Sequence, residues 1–222
     1  MRVNLSKINW IQLIMSYILR ATILIALARA IWTQSWFIMF VSASIYLVTF
    51  LPAIVTRNIK VNLPVELEFA AVFFIYASLF LGEVHSYYTL FWWWDIFLHS
   101  FSSIVLGFIG FLVLFTLYTS NRMDASPFII ALFSFCFALA IGAVWEIFEF
   151  GVDQLLGFNM QKSGLVDTMW DLIVDAGGGL LTAIVGYFYV RGRPSFVIHH
   201  LLVRFAKRNP HLFRELPPRE RK

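Results

Sequence analysis

Six stretches of the chain are almost wholly apolar, and each is about as long as a membrane crossing, which takes ~20 helical residues. They run over residues 10–32, 36–55, 65–82, 92–118, 127–154 and 167–190. The joints between them are short. Pro52, Pro64 and Pro127 lie near segment ends, where a missing N–H is easily accommodated. Nothing repeats at a fixed period, and no joint is long enough to hold a soluble domain. The pattern predicts an all-α, polytopic membrane protein: one domain of six transmembrane helices over residues 1–190, then a tail over 191–222.

Composition agrees. Of 222 residues, 60% are hydrophobic and only 14% charged, against roughly 25% charged in a soluble domain. A soluble chain of this size needs a polar shell that these residues cannot build. Arg2 and Lys7 before the first run, and Ala28-Arg29-Ala30 within its outer part, have the outline of a secretory signal. Arg20 interrupts that run, which is also long for a signal core, so retention as a first span is expected. The one cysteine, Cys136, lies in an apolar run and reads as a packing residue.

Charge adds an orientation. The tail from Arg191 carries nine basic and two acidic side chains, a net +7, while the remainder carries eight and eleven, a net −3. The basic pI therefore reports a tail suited to anionic lipid at a cytoplasmic face, not a nucleic-acid surface. Arg2 and Lys7, Arg57 and Lys60, and Arg122 fall on the same side as that tail if both termini are cytoplasmic. The first and third connections have no Lys or Arg, and the fifth has only Lys162. Within the tail, residues 195–207 mix Phe196, Val197, Ile198, Leu201, Leu202, Val203 and Phe205 with His199, His200 and Arg204, the pattern of a helix lying on the inner membrane surface. Residues 209–222, with Pro210, Pro217 and Pro218, read as frayed.

The acids are not scattered. Asp95 and His99, four apart at the start of the fourth span, share a helix face. Glu146, Glu149 and Asp153 near the end of the fifth span only about 60° of the helix, and Asp167, Asp171 and Asp175 at the start of the sixth about 80°. With both termini cytoplasmic, all three stripes lie at the outer boundary. Asp175 is sixteen residues before Arg191, ~24 Å along a helix, and so slightly inside a hydrocarbon core ~30 Å thick. Gly107, Gly110, Gly142 and Gly177-Gly178-Gly179 recur just below, where small residues let helices approach closely. The three acidic helices are expected to pack there, closing the floor of an outward-facing polar cavity. Boundary acids can simply face water, a reading that suits Asp153 and Asp167. It suits Glu146, Glu149, Asp171 and Asp175 less well, because Trp, Phe, Ile and Leu occupy their other faces and charge at that depth is costly. Arg29 is a further source of positive charge at that level, and for Arg20, nearer mid-membrane, a structural contact is expected.

Clustered carboxylates with one imidazole suit a divalent cation such as Mg²⁺, Mn²⁺ or Zn²⁺. Such an ion polarises phosphoryl oxygen and lowers the pKa of bound water. Asp95, His99, Glu146, Glu149, Asp167, Asp171 and Asp175 are the candidate ligands, and Asp95, His99, Glu146, Glu149 and Asp171 the candidates for any catalytic role. The di-iron Glu-x-x-His pair, HExxH, GxSxG and the P-loop are all missing from the sequence. Ser102 and Ser103, beside His99, read as helix-contact residues.

The Asp95-x-x-x-His99 entry, the Trp145-Glu146-Ile147-Phe148-Glu149-Phe150 exit, and Asp167-Thr168-x-x-Asp171-Leu172 followed by glycine together resemble the YjdF-type family of bacterial inner-membrane proteins. More distantly, the order of an acid–His pair, a Glu near a helix end and a paired-Asp helix is similar to VanZ-like proteins. The likeness covers residues 92–179; Ser102-Ser103 and Asp175 depart from the family pattern. The resemblance implies a multi-pass protein of the bacterial inner membrane with Asp95, His99, Glu146, Glu149, Asp167 and Asp171 as its signature, and no reaction.

Three readings stay open on these residues. The first is a metal-dependent hydrolase or transferase acting on a lipid phosphate or lipid-linked substrate at the outer leaflet. The second is a non-catalytic binding or accessory membrane protein. The third is a cation-coupled transporter, although such proteins place their sites near the midplane between repeated halves. Nothing in the pattern sets an oligomeric state.

Overall fold

The computed structural model describes residues 7–58, 61–157 and 159–213. All regular structure among them is helical, and the chain divides into two compact units, Met1–Trp94 and Asp95–Lys222. Arg2, Lys60 and the tail beyond Phe213 lie outside the described residues; of the stretch expected to fray, Asn209 is instead buried, its Nδ2 donating to the Phe205 carbonyl at 2.8 Å, and Phe213 is buried too.

The first unit holds α1 (Lys7–Trp32), α2 (Trp36–Val48), α3 (Leu51–Asn58), α4 (Val65–Ile75) and the short α5 (Tyr87–Leu90). Its core is Ile23, Ile45 and Phe80, one from each of three packed elements. α4 runs on as a π-helix over Tyr76–Val84, closed by a bond from the His85 N–H to the Phe80 carbonyl at 3.2 Å.

The expected second span is not one helix. It breaks at Thr49–Phe50 into α2 and α3; among the described residues five helices are each long and apolar enough to cross a membrane, and α2 holds a sixth, shorter apolar stretch over Ile38–Val48. Pro52 is the physical reason: it has no N–H to continue the ladder, and its ring collides with the carbonyl four residues back. Arg20 repairs the break. It donates from Nε to Thr49 Oγ1 at 3.2 Å and from Nη2 to the Thr49 carbonyl at 2.9 Å, and its guanidinium lies 4.5 Å from the Phe50 ring centre. The mid-membrane arginine is thus a structural contact. Arg20→Met leaves a buried carbonyl without its donor, and we expect thermal melts in detergent to show a loss of about 1–3 kcal/mol. An unchanged melting temperature would remove Arg20 from this role.

The second unit is built on α6 (Trp94–Thr119), α7 (Pro127–Leu156) and α8 (Leu165–Val190). Each matches its apolar run to within a few residues. Ser126 caps α7, accepting from the Ile129 N–H at 3.3 Å with Pro127 in the first turn, and Gly157 ends it in a left-handed conformation (φ 71°). The three helices alternate in direction. Polar side chains tie them across their apolar faces: Ser134 Oγ donates to the Gly107 carbonyl at 2.6 Å, and Thr182 Oγ1 to that of Ile104 at 3.2 Å. Phe111, Phe115 and Tyr189 form the core at the end away from the acids. Outward faces are apolar and uncovered, with Ile147 69% and Trp170 59% exposed, as a bilayer requires. Cys136, expected to pack inside, is on such an exposed face.

α9 (Phe196–Arg208) forms where the tail is amphipathic, capped by Ser195. Ile198, Leu202, Phe205 and Ala206 are buried in the protein, while Phe196 and Val197 are exposed. His199 pairs through Nδ1 with the Tyr189 hydroxyl at 3.1 Å, and His200 stacks on Phe196.

A candidate metal centre at one end of three helices

Because α6 and α8 begin where α7 ends, the three acidic stripes of the second unit converge at one end of it. His99, one turn into α6 and 7% exposed, is at the centre. Its Nδ1 lies 3.3 Å from Asp175 Oδ2, a hydrogen bond that crosses from α6 to α8. Its Nε2 faces Glu146 Oε1 on α7 at 3.8 Å and Asp95 Oδ1, one turn back on α6, at 3.9 Å. Asp171 completes the group: ligand atoms of Asp95, His99 and Asp171 all lie within 4.8 Å of one another.

Two features distinguish the group. Asp175 is 1% exposed and accepts from the ring on the side away from the other acids. A carboxylate held to one imidazole nitrogen fixes the tautomer and turns the other nitrogen's lone pair outward, the arrangement found behind metal-ligating histidines. Glu146 is 4% exposed, and neither of its oxygens has a hydrogen-bond partner in this geometry, although Thr168 flanks it. A desolvated carboxylate without a donor costs several kcal/mol unless positive charge lies beside it. Asp167, a turn above Asp171, also has a buried oxygen, Oδ2, without a partner.

Small residues make the close approach feasible. A Cβ at Gly142 would overlap the Asp175 carboxylate, and one at Gly178 would overlap Ser103 Oγ. Ser102 and Ser103 turn their hydroxyls back onto the α6 backbone, at 3.1 Å from the His99 and Ser100 carbonyls, as helix-contact residues do.

The remaining acids differ in surroundings. Glu149 accepts from Trp145 Nε1 at 3.0 Å and stands outside the three-residue ligand set. Asp153, aligned with Glu146 and Glu149 by spacing, instead closes the α7–α8 connection, accepting from the Met160 N–H at 2.7 Å and the Gln161 N–H at 2.9 Å. Within the second unit Lys162 brings its Nζ to 2.6 Å from Asp95 Oδ2; in the first, Arg29 is exposed in the last turn of α1. Sequence spacing could not find that pair, since 67 residues separate its members. The available signal is that Lys162 is the lone base between Arg122 and Arg191.

One imidazole and two carboxylates are borderline-to-hard donors. Metal–ligand distances of about 2.1 Å set neighbouring ligands roughly 3–3.5 Å apart, so the trio must close in by about an ångström to share an ion.

Residues 11–192 match the family model described as predicted membrane protein DUF2238, a span that holds the whole cluster. An uncharacterised protein of Thermotoga maritima is 34% identical over 114 residues, which is 51% of this chain and 57% of that relative. No solved structure matches the chain.

Proposed function

The chain belongs to the DUF2238 family of predicted membrane proteins, and we propose that this member is a membrane protein binding one divalent cation through Asp95, His99 and Asp171, and using it in hydrolysis or transfer of a lipid phosphate. The YjdF-type likeness and an inner-membrane location belong to the same proposal. The observation that carries the metal reading is Glu146: a buried carboxylate with neither oxygen hydrogen-bonded, flanked by Thr168 and 3.8 Å from the imidazole of a three-residue ligand group. The donor set favours Mn²⁺ or Zn²⁺ over Mg²⁺, which prefers all-oxygen coordination.

In this reading Asp175 orients His99, and Asp95, His99 and Asp171 hold the ion. Glu146, on the third helix, accepts the proton from the water that attacks phosphorus. As the P–O bond breaks the alcohol leaves with that proton, returned by Glu146, and an ion held by Asp95, His99 and Asp171 would supply charge to offset what develops on the phosphoryl oxygens. Acyl chains reach the site laterally, along the uncovered apolar faces of α7 and α8.

Elemental analysis of dialysed, detergent-purified protein tests the first half, with about one divalent ion per chain expected. Phosphate release from phosphatidic acid micelles tests the second. Glu146→Gln should retain the metal and lose about 10²–10⁴-fold in rate. Stoichiometric metal with no release of phosphate by the wild type would move the protein to the accessory reading.

Sidedness has its own measurement. In a Cys136→Ser background, Ser163→Cys, in the exposed α7–α8 connection, should react with an impermeant thiol reagent on intact cells. Asp124→Cys, in the α6–α7 connection, should react only after permeabilisation. The reverse pattern would place the acidic cluster at the cytoplasmic face.

A further inference from the structure

The α7–α8 connection delivers one particular side chain to the cluster. Asp153 fixes the loop by accepting from the N–H groups of Met160 and Gln161, and Gln161 Nε2 donates to Thr168 Oγ1 at 2.6 Å. Between these anchors Lys162 takes a left-handed backbone conformation (φ 27°), which a residue with a Cβ adopts only under constraint. Its ammonium lies 2.6 Å from Asp95 Oδ2, with the side chain 35% exposed.

Asp95 is therefore divided between two partners. Oδ1 faces His99 Nε2 and the proposed ion; Oδ2 faces Lys162. The inner side of the cluster carries Glu146, with neither oxygen hydrogen-bonded, and the buried Asp175, and the outer side carries the ammonium. A divalent ion held by Asp95, His99 and Asp171 would draw charge from the Asp95 carboxylate and would repel Lys162. Its ammonium, whose charge also acts on Asp167, would stay at the outer side of the site, where a second oxyanion would take the place of Asp95 Oδ2.

We propose that Lys162 is the anion-recognition residue of this site, and that a phosphoryl group bridges the bound divalent ion and Lys162 Nζ, replacing the contact that Asp95 makes without ligand. The proposal rests on the metal reading above and names what that reading lacks, a group to position the substrate. Ammonium is a strong point-charge donor to phosphoryl oxygen, and the exchange of one oxyanion for another requires no refolding of the loop. A phosphomonoester lipid headgroup and free phosphate share this chemistry.

The test uses the full-length protein in nanodiscs and calorimetric titration. Wild type should bind Mn²⁺, and inorganic phosphate only once Mn²⁺ is present. Lys162→Met should bind Mn²⁺ about tenfold more tightly, because a competing positive charge is gone, and should bind phosphate at least about tenfold more weakly. Lys162→Arg should recover most of the phosphate affinity. Nanodiscs with and without phosphatidic acid separate the sources. Thermal stabilisation by the lipid that disappears in Lys162→Met marks a headgroup ligand; a response to inorganic phosphate alone marks the free anion.

A measurement on the wild type guards against a variant that fails to fold. Mn²⁺ alone should speed modification of Lys162 by an amine-directed reagent, read by mass spectrometry, and Mn²⁺ with phosphate should slow it. Unchanged phosphate affinity in Lys162→Met, or no protection of Lys162 at saturating phosphate, overturns the assignment while leaving the metal site standing. Absence of any Mn²⁺ or Zn²⁺ binding by the wild type overturns the metal reading and this assignment with it.

Discussion

Asp171→Asn should weaken divalent-metal binding by at least ~100-fold, more than loss of an outer-shell partner, which typically costs 10–100-fold. The substitution keeps the size of the side chain and removes only its charge. Asp171 is buried and shares its ligand group with Asp95 and His99, so an ion bound there loses one of two anionic donors. The same change should be visible in stability. A ligand bound only to the folded state stabilises by about 2.7 kcal/mol at a hundred times its dissociation constant, so wild type should melt higher with Mn²⁺ and the variant should not. Asp175→Asn should produce a smaller loss, 10–100-fold, by a different route. An amide can donate to Nδ1, which moves the ring proton to Nε2 and blocks the nitrogen that faces the other acids. Asp124→Asn, exposed in the α6–α7 connection, should match wild type. Simple crowding makes the opposite forecast: neutralising Asp171 relieves repulsion and raises stability, with no dependence on metal. Equal melting temperatures with and without Mn²⁺ or Zn²⁺ for wild type and Asp171→Asn would end the metal hypothesis.

The parts of this molecule that were legible in its sequence are those set by local rules. The ends of α7 are written in Ser126-Pro127 and Gly157, a capping residue with a proline in the first turn and a left-handed stop. The convergence of three acidic stripes follows from three- and four-residue spacings on consecutive antiparallel helices joined by short loops. What was not legible depends on partners far away in the chain. Proline alone allowed Pro52 to end a span or to break one, and the guanidinium of Arg20, reaching Thr49 from 29 residues away, accompanies the break. The π-helix at Tyr76–Val84 has no apolar periodicity that separates it from the α-helix it continues. Asp153 has the spacing of a site acid, yet α7 ends just beyond it, and the loop N–H groups it meets are invisible to helical periodicity. Lys162 looked like a count toward sidedness until the loop placed it on Asp95. Asp175, a departure from the family pattern by type, turns out to be the residue that holds His99.

Gly142→Val should damage the fold and the cluster together. A Cβ at this position would overlap the Asp175 carboxylate, so one side must yield. The α7 backbone is held by Ser134 on Gly107 two turns away, and it cannot retreat without breaking that bond. Asp175 is nearly fully buried, so it has no open rotamer to adopt without giving up His99. Overpacking of this kind costs typically ~1–3 kcal/mol. The displaced carboxylate also frees the imidazole to turn, so metal affinity should fall even in the fraction that folds. Gly177→Ala is the matched control. It sits on α8 two residues beyond Asp175, and a Cβ there meets nothing within 4 Å. Replacing an unpacked helical glycine with alanine stabilises by up to ~1 kcal/mol, so this variant should melt slightly higher and bind metal as wild type does. Thermal melts and Mn²⁺ titrations on the two variants separate a close-packing requirement at Gly142 from general helix propensity. If Gly142→Val bound metal as tightly as wild type, the Asp175–His99 contact would have no part in forming the site.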